Sequence, residues 1–271
     1  YADIDQIVDL AVQLKVDAVH SGYGFLAQNV EFTRRLRKHG IVAIAPELEG
    51  AASLADRPFV KERASRFGLK TLPGSTRCSD LDSVWRAADL IGYPVLIKAT
   101  HSYGGKGLRV VSKQDELQSA YDFVLSQCNK FAMNSTDIFV EKFFEKAHHV
   151  EFPVLRDHHG NMIIFPEQWC SVQRRFQKVL VETPSRVISE EKRIQIERII
   201  RRVVKRLNAT GFVSVVFLVD GDDTYFLKVN GYIQPFYTAT TQLTGVDLLK
   251  EQIRIFSGDP LYVGQEELNR N

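Results

Sequence analysis

Three residue patterns in the chain could carry chemistry. A glycine-bearing loop at 102–107, Ser102-Tyr103-Gly104-Gly105-Lys106-Gly107, lies between two apolar runs at 94–99 and 108–111. Such a loop cradles phosphate when a helix N-terminus follows it directly. Here a second strand follows, so the segment is a β-hairpin, and neither a Walker-type loop nor a dinucleotide fingerprint is offered. Thiol or metal chemistry would draw on Cys78, Cys128 and Cys170, which are too few and too scattered for a disulfide framework or a zinc site. Basic runs at 34–38 and 201–206 are short, helical in pattern and interleaved with apolar residues, which reads as solvated helix faces.

The background matches these local readings. With 35 Lys plus Arg against 33 Asp plus Glu, the net charge of +2 gives no electrostatic case for nucleic acid or a membrane surface as partner. No apolar run approaches the roughly 20 residues of a membrane span. Without a signal-peptide pattern, an intracellular reducing compartment is expected, cytoplasm or mitochondrial matrix. Because the chain opens at Tyr1 without Met, inside the run-up to a helix, it is expected to be a fragment of something longer.

Periodicity supplies the elements that would hold these residues. Ile4, Ile7, Val8, Ala11 and Leu14 recur at helical spacing; a strand at 17–20, a helix at 31–39 closed by Gly40 and a strand at 41–45 follow. This winding predicts parallel strands. Beyond it come a helix at 57–67, the hairpin already described, a helix at 116–128 and strands at 138–143, 150–156 and 162–168. A helix at 190–207 should turn Ile194, Ile199, Ile200, Val203, Val204 and Leu207 inward. Strands at 212–219 and 224–230 flank Asp220-Gly221-Asp222-Asp223, a strong hairpin signal, and a helix at 246–256 precedes an exposed tail.

Seven segments, taken together and in order, resemble the biotin carboxylase family. They are His20-Ser21-Gly22-Tyr23-Gly24-Phe25-Leu26, Gly92-Tyr93-Pro94-Val95-Leu96-Ile97-Lys98-Ala99, Gly104-Gly105-Lys106-Gly107, Glu141-Lys142, His149-Val150-Glu151, the run from Cys170 to Lys178, and Leu243-Thr244-Gly245-Val246-Asp247. The fold the resemblance implies is α/β (α+β): an ATP-grasp fold with a partial N-terminal doubly wound α/β subdomain over 1–50, a core over 51–258 with a lid at about 90–145, and a tail at 259–271. The resemblance also implies that the family's C-terminal subdomain is missing. In that family ATP and bicarbonate form carboxyphosphate, whose CO₂ passes to biotin. By resemblance Lys98 would lie against the α- and β-phosphates, and Gly104, Gly105 and Gly107 would fold over them as a lid. Glu141 and Lys142 would meet the adenine side, His149 the ribose and phosphate region, and Arg57 would stand where an ATP-contacting lysine is usual. Read without the resemblance, Lys98 is also compatible with a strand-end surface lysine and Glu141-Lys142 with a solvated pair. His101-Ser102-Tyr103 departs from the family's longer glycine run and restricts the positive φ angles of a lid tip.

Other departures fall where the resemblance implies chemistry. Phosphoryl transfer needs a divalent cation, and hard Mg²⁺ takes carboxylate oxygens. The matching positions are Val216 and Lys228, with Asn230 retained as the third. Alternation places Lys228 on the same strand face as Asn230, toward the cleft. Tyr232 and Phe236 stand where the family offers an anion-binding arginine and a general base, while Gln234 is kept. Phe176 replaces a usual histidine between the retained Gln173 and Lys178. The expectation is a catalytically inactive biotin-carboxylase-like subunit of a larger assembly, partnered by an active carboxylase or by itself as a homodimer. Its possible cofactor is ATP without Mg, and biotin is not expected. The alternative is an active biotin carboxylase component of an acyl-CoA or pyruvate carboxylase, with metal ligands drawn from elsewhere, such as Glu167 or Asp220.

Overall fold

The computed structural model describes residues 3–46, 57–99, 107–130 and 138–268. Its first unit is α1 (Ile4–Gln13), β1 (Ala18–His20), α2 (Val30–Lys38) and β2 (Val42–Ile44). Asp3 and Asn29 cap the two helices, accepting from the backbone N–H groups of Gln6 and Phe32. Val8, Ala11, Phe32 and Leu36 fill one small core. The two strands pair in parallel, as the winding predicts.

A second unit holds α3 (Arg57–Arg66), α4 (Leu81–Ile91), β3 (Val95–Ala99), β4 (Leu108–Val111), α5 (Leu117–Lys130) and β5 (Ile138–Lys142). The strands form an antiparallel sheet in the order β4-β3-β5, and Val84, Ala88, Leu117 and Val124 of α4 and α5 pack on it. The hairpin β3–β4 confirms that no helix follows the glycine loop; Gly104 and Gly105 lie outside the described residues. Gly107 is buried at φ +70° and its carbonyl accepts from Ala99 N–H at 2.9 Å.

The third unit contains β6 (His148–Arg156), β7 (Met162–Ile164), β8 (Gln168–Trp169), β9 (Gln173–Arg174), β10 (Gln177–Lys178), α6 (Glu190–Arg206), β11 (Gly211–Asp220), β12 (Asp223–Asn230), α7 (Thr238–Thr244), α8 (Leu248–Phe256) and α9 (Gln265–Leu268). Its main sheet runs β12-β11-β6-β7, with β8 also on β6. Val150, Phe152 and Val154 of β6 and Val213, Val215, Phe217 and Val219 of β11 point to one face, where α6 covers them. Period-two alternation therefore sends His149, Glu151, Ser214 and Val216 to the opposite face. A bulge at Leu227 lets Phe226 and Val229 both join the core while Lys228 and Asn230 stay on that opposite face.

Several elements differ from the sequence reading. The strand expected at 162–168 breaks into β7 and β8, because Pro166 between them has no N–H to give a ladder. On α6 the buried set is Ile196, Ile200, Val203 and Val204, whereas Ile194 is 42% exposed; 196 continues the i, i+4, i+7, i+8 stripe and 194 falls on the opposite side of the helix. α4 was not anticipated, although Asp80 and Ser83 form a reciprocal capping box at its start. The last long helix begins at Leu248, where Asp247 accepts from two backbone N–H groups, and α7 precedes it. The segment expected as an exposed tail is tied down in its described part. Leu261, Val263 and Leu268 pack against the core beneath α8, and the Gln265 amide both donates to and accepts from the backbone of Ile164 at 2.8 Å.

β9 and β10 are joined by Arg175 and Phe176, both in the left-handed region at φ +52° and +62°. A β-carbon there costs about 1 kcal/mol, and Phe176 is 41% exposed, so its ring offsets little. Phe176→Gly should raise the thermal unfolding midpoint by about 2 °C, read by scanning calorimetry; an unchanged or lowered midpoint would show that the ring's packing outweighs the strain.

Candidate functional site

Two charge clusters lie along the sheet faces. The first is built on β5. Glu141 is 5% exposed and its carboxylate accepts from Lys98 of β3, its neighbour in the ladder, and from Lys61 of α3 at 3.2 Å. Burial pushes the Glu141 carboxyl up, but the Lys98 and Lys61 ammoniums outweigh it and hold it below its ordinary value. Lys98 is 5% exposed, which removes the reading of a solvated strand-end lysine, and a buried Glu141 likewise removes that of a solvated pair. Gly74 completes the contact: a Cβ there would sit 2.6 Å from Lys61 Nζ and 2.9 Å from the Val140 carbonyl, so only glycine lets this segment approach β5. Lys142 turns away from the cluster and donates to the carbonyls of Gly92 and Tyr93 at 2.8 and 2.9 Å. Arg57 opens α3, and its side chain lies outside what is described. Lys61 was missed in the sequence; its signal would have been its place one helical turn beyond Arg57.

The second cluster is centred on Glu151 of β6, 1% exposed. Its Oε2 accepts from Lys178 Nζ at 2.7 Å, Tyr237 Oη at 2.7 Å and Ser214 Oγ at 3.2 Å. The ladder places Glu151, Val216 and Lys228 directly opposite one another on three adjacent strands, with Ser214 opposite Asn230 beside them. Directly opposed residues share a face, so Lys228 does share the Glu151 and Asn230 face, as alternation predicted. Burial pushes the Glu151 carboxyl up, and His149, Lys178 and Lys228 together overcome this and hold it well below the usual carboxylate range. For His149 burial dominates and lowers its pKa, so the ring is neutral at pH 7. Gln173 Nε2 donates to His149 Nδ1 at 2.7 Å, which leaves the ring proton on Nε2. That Nε2 faces Glu151 Oε1 in a long contact of 3.3 Å, through which it helps to hold the carboxylate charged. The buried Asn230 Nδ2 also has no hydrogen-bond partner among the described residues.

The positions beyond Asn230 are aromatic. Tyr232 meets Tyr23 with ring centroids 5.7 Å apart, joining the first unit to the third. Phe236 and Tyr237 put their rings 5.9 and 5.5 Å from Lys178 Nζ, and the Phe236 carbonyl accepts from Gln168 Nε2. Gln234 caps the short turn 235–237 through its backbone carbonyl. Phe176 stands in the strained turn described above.

These residues do not fit a divalent cation. Val216 is fully buried and has no lone pair, Lys228 is a cation, and the oxygens of Glu151 already face an ammonium, a phenol and a hydroxyl. Glu167 does not supply a ligand here, because its carboxylate is fully buried against the Arg193 guanidinium at 2.7 and 2.8 Å beneath α6. Asp220 ends β11 at its hairpin, at the far end from Ser214. Among the described residues no three His, Cys, Asp or Glu side chains gather as a metal set.

Removing the hub carboxylate would strand Lys178, whose side chain is 8% exposed, so Glu151→Ala should cost about 3–5 kcal/mol in urea unfolding at pH 7. Since the folded carboxyl lies below its ordinary value of 4.5, its stabilisation is fully present above that pH and is lost as pH falls further. The gap between the variant and the unaltered protein should therefore narrow below about pH 4.5; a constant gap would place the effect in packing. The three cysteines are buried and form no disulfide. Burial, with Glu151 adding to it, pushes the Cys170 thiol up to about 12. Thiol reagents at pH 8 should label Cys170 only on unfolding, as mass spectrometry of the alkylated chain would show.

Residues 56–263 match the family model described as carbamoyl-phosphate synthase L chain, ATP binding domain, and residues 1–50 match the biotin carboxylase, N-terminal domain. Pyruvate carboxylase of Bacillus subtilis is 38% identical over 263 residues, 97% of this chain and 23% of that protein. A pyruvate carboxylase subunit of Methanothermobacter thermautotrophicus is 38% identical over 273 residues, 99% of this chain and 55% of that protein. The structure of the biotin carboxylase domain dimer of Hydrogenobacter thermophilus 2-oxoglutarate carboxylase, in complex with MgADP, ADP and bicarbonate, superposes with a TM-score of 0.92 at 36% identity, covering 98% of this chain and 59% of that one. A biotin carboxylase from Campylobacter jejuni gives 0.89 at 30% identity, with 98% and 59% covered. The chain thus spans between about a quarter and three fifths of the proteins it matches. With its α/β sheets arranged as in those structures, the chain belongs to the biotin carboxylase family and has the ATP-grasp fold.

Proposed function

We propose that the chain is the nucleotide-binding core of a biotin-carboxylase-type subunit in a carboxylase assembly, and that its own metal-side and bicarbonate-side residues do not run the carboxylation. The observation that carries the first part is the buried Lys98–Glu141–Lys61 cluster, which holds two ammoniums in fixed positions on one carboxylate at the edge of β5. A nucleotide phosphate can take the Lys98 ammonium while Lys61 keeps Glu141 neutralised, so the exchange leaves no bare buried charge. In this reading Lys98, Gly104, Gly105, Gly107, Glu141, Lys142, His149 and Arg57 contribute to the nucleotide side, within a core at 51–258 that follows an N-terminal subdomain at 1–50. Gln173, Lys178 and Gln234 are retained pocket residues. Relatives described as one subunit of pyruvate carboxylase and as a carboxylase domain dimer support a multi-chain assembly, with a second copy among the candidate partners.

The second part rests on the chemistry of four positions. Val216 and Lys228 give no oxygen to a cation, the Tyr232 phenol offers no bidentate fork to an anion, and the Phe236 ring has no base. The reading opposed to it is an active ATP-dependent biotin carboxylase, and likeness to relatives that are biotin carboxylases and pyruvate carboxylases favours that reading over the inactive one. The biotin carboxylase domain of a thermophilic 2-oxoglutarate carboxylase has also been captured with ADP without magnesium, its phosphate tail disordered; here Lys228 would give such a tail a charge to meet.

Calorimetric titration with ADP tests the nucleotide reading: binding should be measurable, and Lys98→Ala should weaken it at least about tenfold, the scale of one charge-assisted hydrogen bond. No heat at millimolar ADP would sink it. Bicarbonate-dependent ATP hydrolysis with biotin should stay at the blank rate, and turnover near 1–10³ per second would establish the active reading. The combination Val216→Glu, Lys228→Glu, Tyr232→Arg and Phe236→Glu should restore hydrolysis where each single change does not.

A further inference from the structure

The metal side of the cleft offers donors where a cation would need acceptors. Lys228 and Lys178 bring two ammoniums to the face that carries the Glu151 carboxylate. Glu151 Oε2 already accepts from three donors. Beside them the Asn230 amide is 96% buried and its Nδ2 has no hydrogen-bond partner among the described residues, while the His149 Nε2 proton has only a long 3.3 Å contact with Glu151 Oε1. Buried donors left without acceptors are destabilising, and an incoming oxygen would satisfy both. The neutral His149 adds no charge of its own beside Lys178 and Lys228.

We propose that this face is a metal-free binding site for a tetrahedral oxyanion, a phosphate or phosphate ester, held by Lys228, Lys178, His149 Nε2 and Asn230 Nδ2 with Glu151 as internal counter-ion. The donors come from two strands of the main sheet, β6 and β12, and from β10 of a separate two-stranded sheet. A flat carboxylate is best met by a planar guanidinium fork, and none of these four residues is an arginine. Point-charge lysines and single N–H donors suit a phosphate, whose oxygens point in four directions. The inference deepens the nucleotide reading, since the phosphate could be the end of a bound nucleotide or free in solution, but the donor set stands without the Lys98 cluster.

Titrations of the full chain with inorganic phosphate, ADP and adenosine, each in EDTA and again with magnesium, separate the possibilities. ADP should bind in EDTA, and magnesium should weaken it by occupying the phosphate oxygens. Lys228→Glu should lower ADP affinity in EDTA at least about tenfold and leave adenosine unchanged, while Lys228→Arg keeps most of the affinity. Asn230→Asp, which exchanges a donor for a carboxylate, provides a second variant should the first unfold, and should weaken ADP in the same sense. Phosphate binding in EDTA that depends on Lys228, with ADP and adenosine silent, would support the site while removing the nucleotide reading. Magnesium that strengthens ADP binding to the unaltered chain would overturn the site and leave that reading intact. Binding of ADP that ignores both Lys228→Glu and Asn230→Asp would overturn it equally.

Discussion

A carboxylate taken fully out of water is stable only where donors surround it, and Glu151 is the point in this chain where that constraint is sharpest. Four elements outside β6 answer it. Ser214 comes from β11, Lys178 from the β9–β10 hairpin, Tyr237 from the turn before α7, and Lys228 from β12 opposite Val216. Each is carried by a segment that other forces must hold: α6 behind the sheet, the left-handed turn at Arg175 and Phe176, the bulge at Leu227. The hub therefore reports on the whole third unit, because misplacing any one segment leaves a buried charge with a donor missing.

The same logic at smaller scale governs Glu141. There the surrounding charges come from the second unit's own sheet and from α3, which also packs against β12. α3 thus stands between the two clusters. Lys61 reaches Glu141 from it, and Phe226 N–H donates to the Lys70 carbonyl just beyond its end. The two sheets are bridged by this helix and by the segment that follows it.

Much of this was legible in the sequence. Winding in the first unit, the hairpin after Ala99, the Asp220-to-Asp223 turn and the shared face of Lys228 and Asn230 follow from periodicity and turn chemistry alone. Ile194 and Ile196 are equally apolar, and it is the stripe through Ile200, Val203 and Val204, readable in the sequence, that turns Ile196 inward. The capping box at Asp80 was readable but easily lost in a polar stretch. What was not legible depends on contacts between distant segments. Leu261 and Val263 looked like tail because nothing local says that Asp157, 104 positions earlier, accepts from the Leu261 N–H. Glu151 itself carried a signal: a carboxylate inside Val150–Leu155, an otherwise apolar strand, must be buried with partners or the strand cannot form.

A lysine at one strand position bears on more than that position. Lys228 and Lys178 on one face would repel each other as like charges, yet here both surround Glu151 and the aromatic rings of Phe236 and Tyr237 turn their electron-rich faces toward Lys178. The aromatic residues at 232, 236 and 237 wall the same end of the cleft. Tyr232 closes against Tyr23, Tyr237 donates its proton to the hub, and its phenol stays protonated because burial and Glu151 raise its pKa well above the ordinary value. A cleft end composed this way is cationic, donor-rich and walled by rings, and its electrostatics favour anions held by hydrogen bonds over cations held by lone pairs.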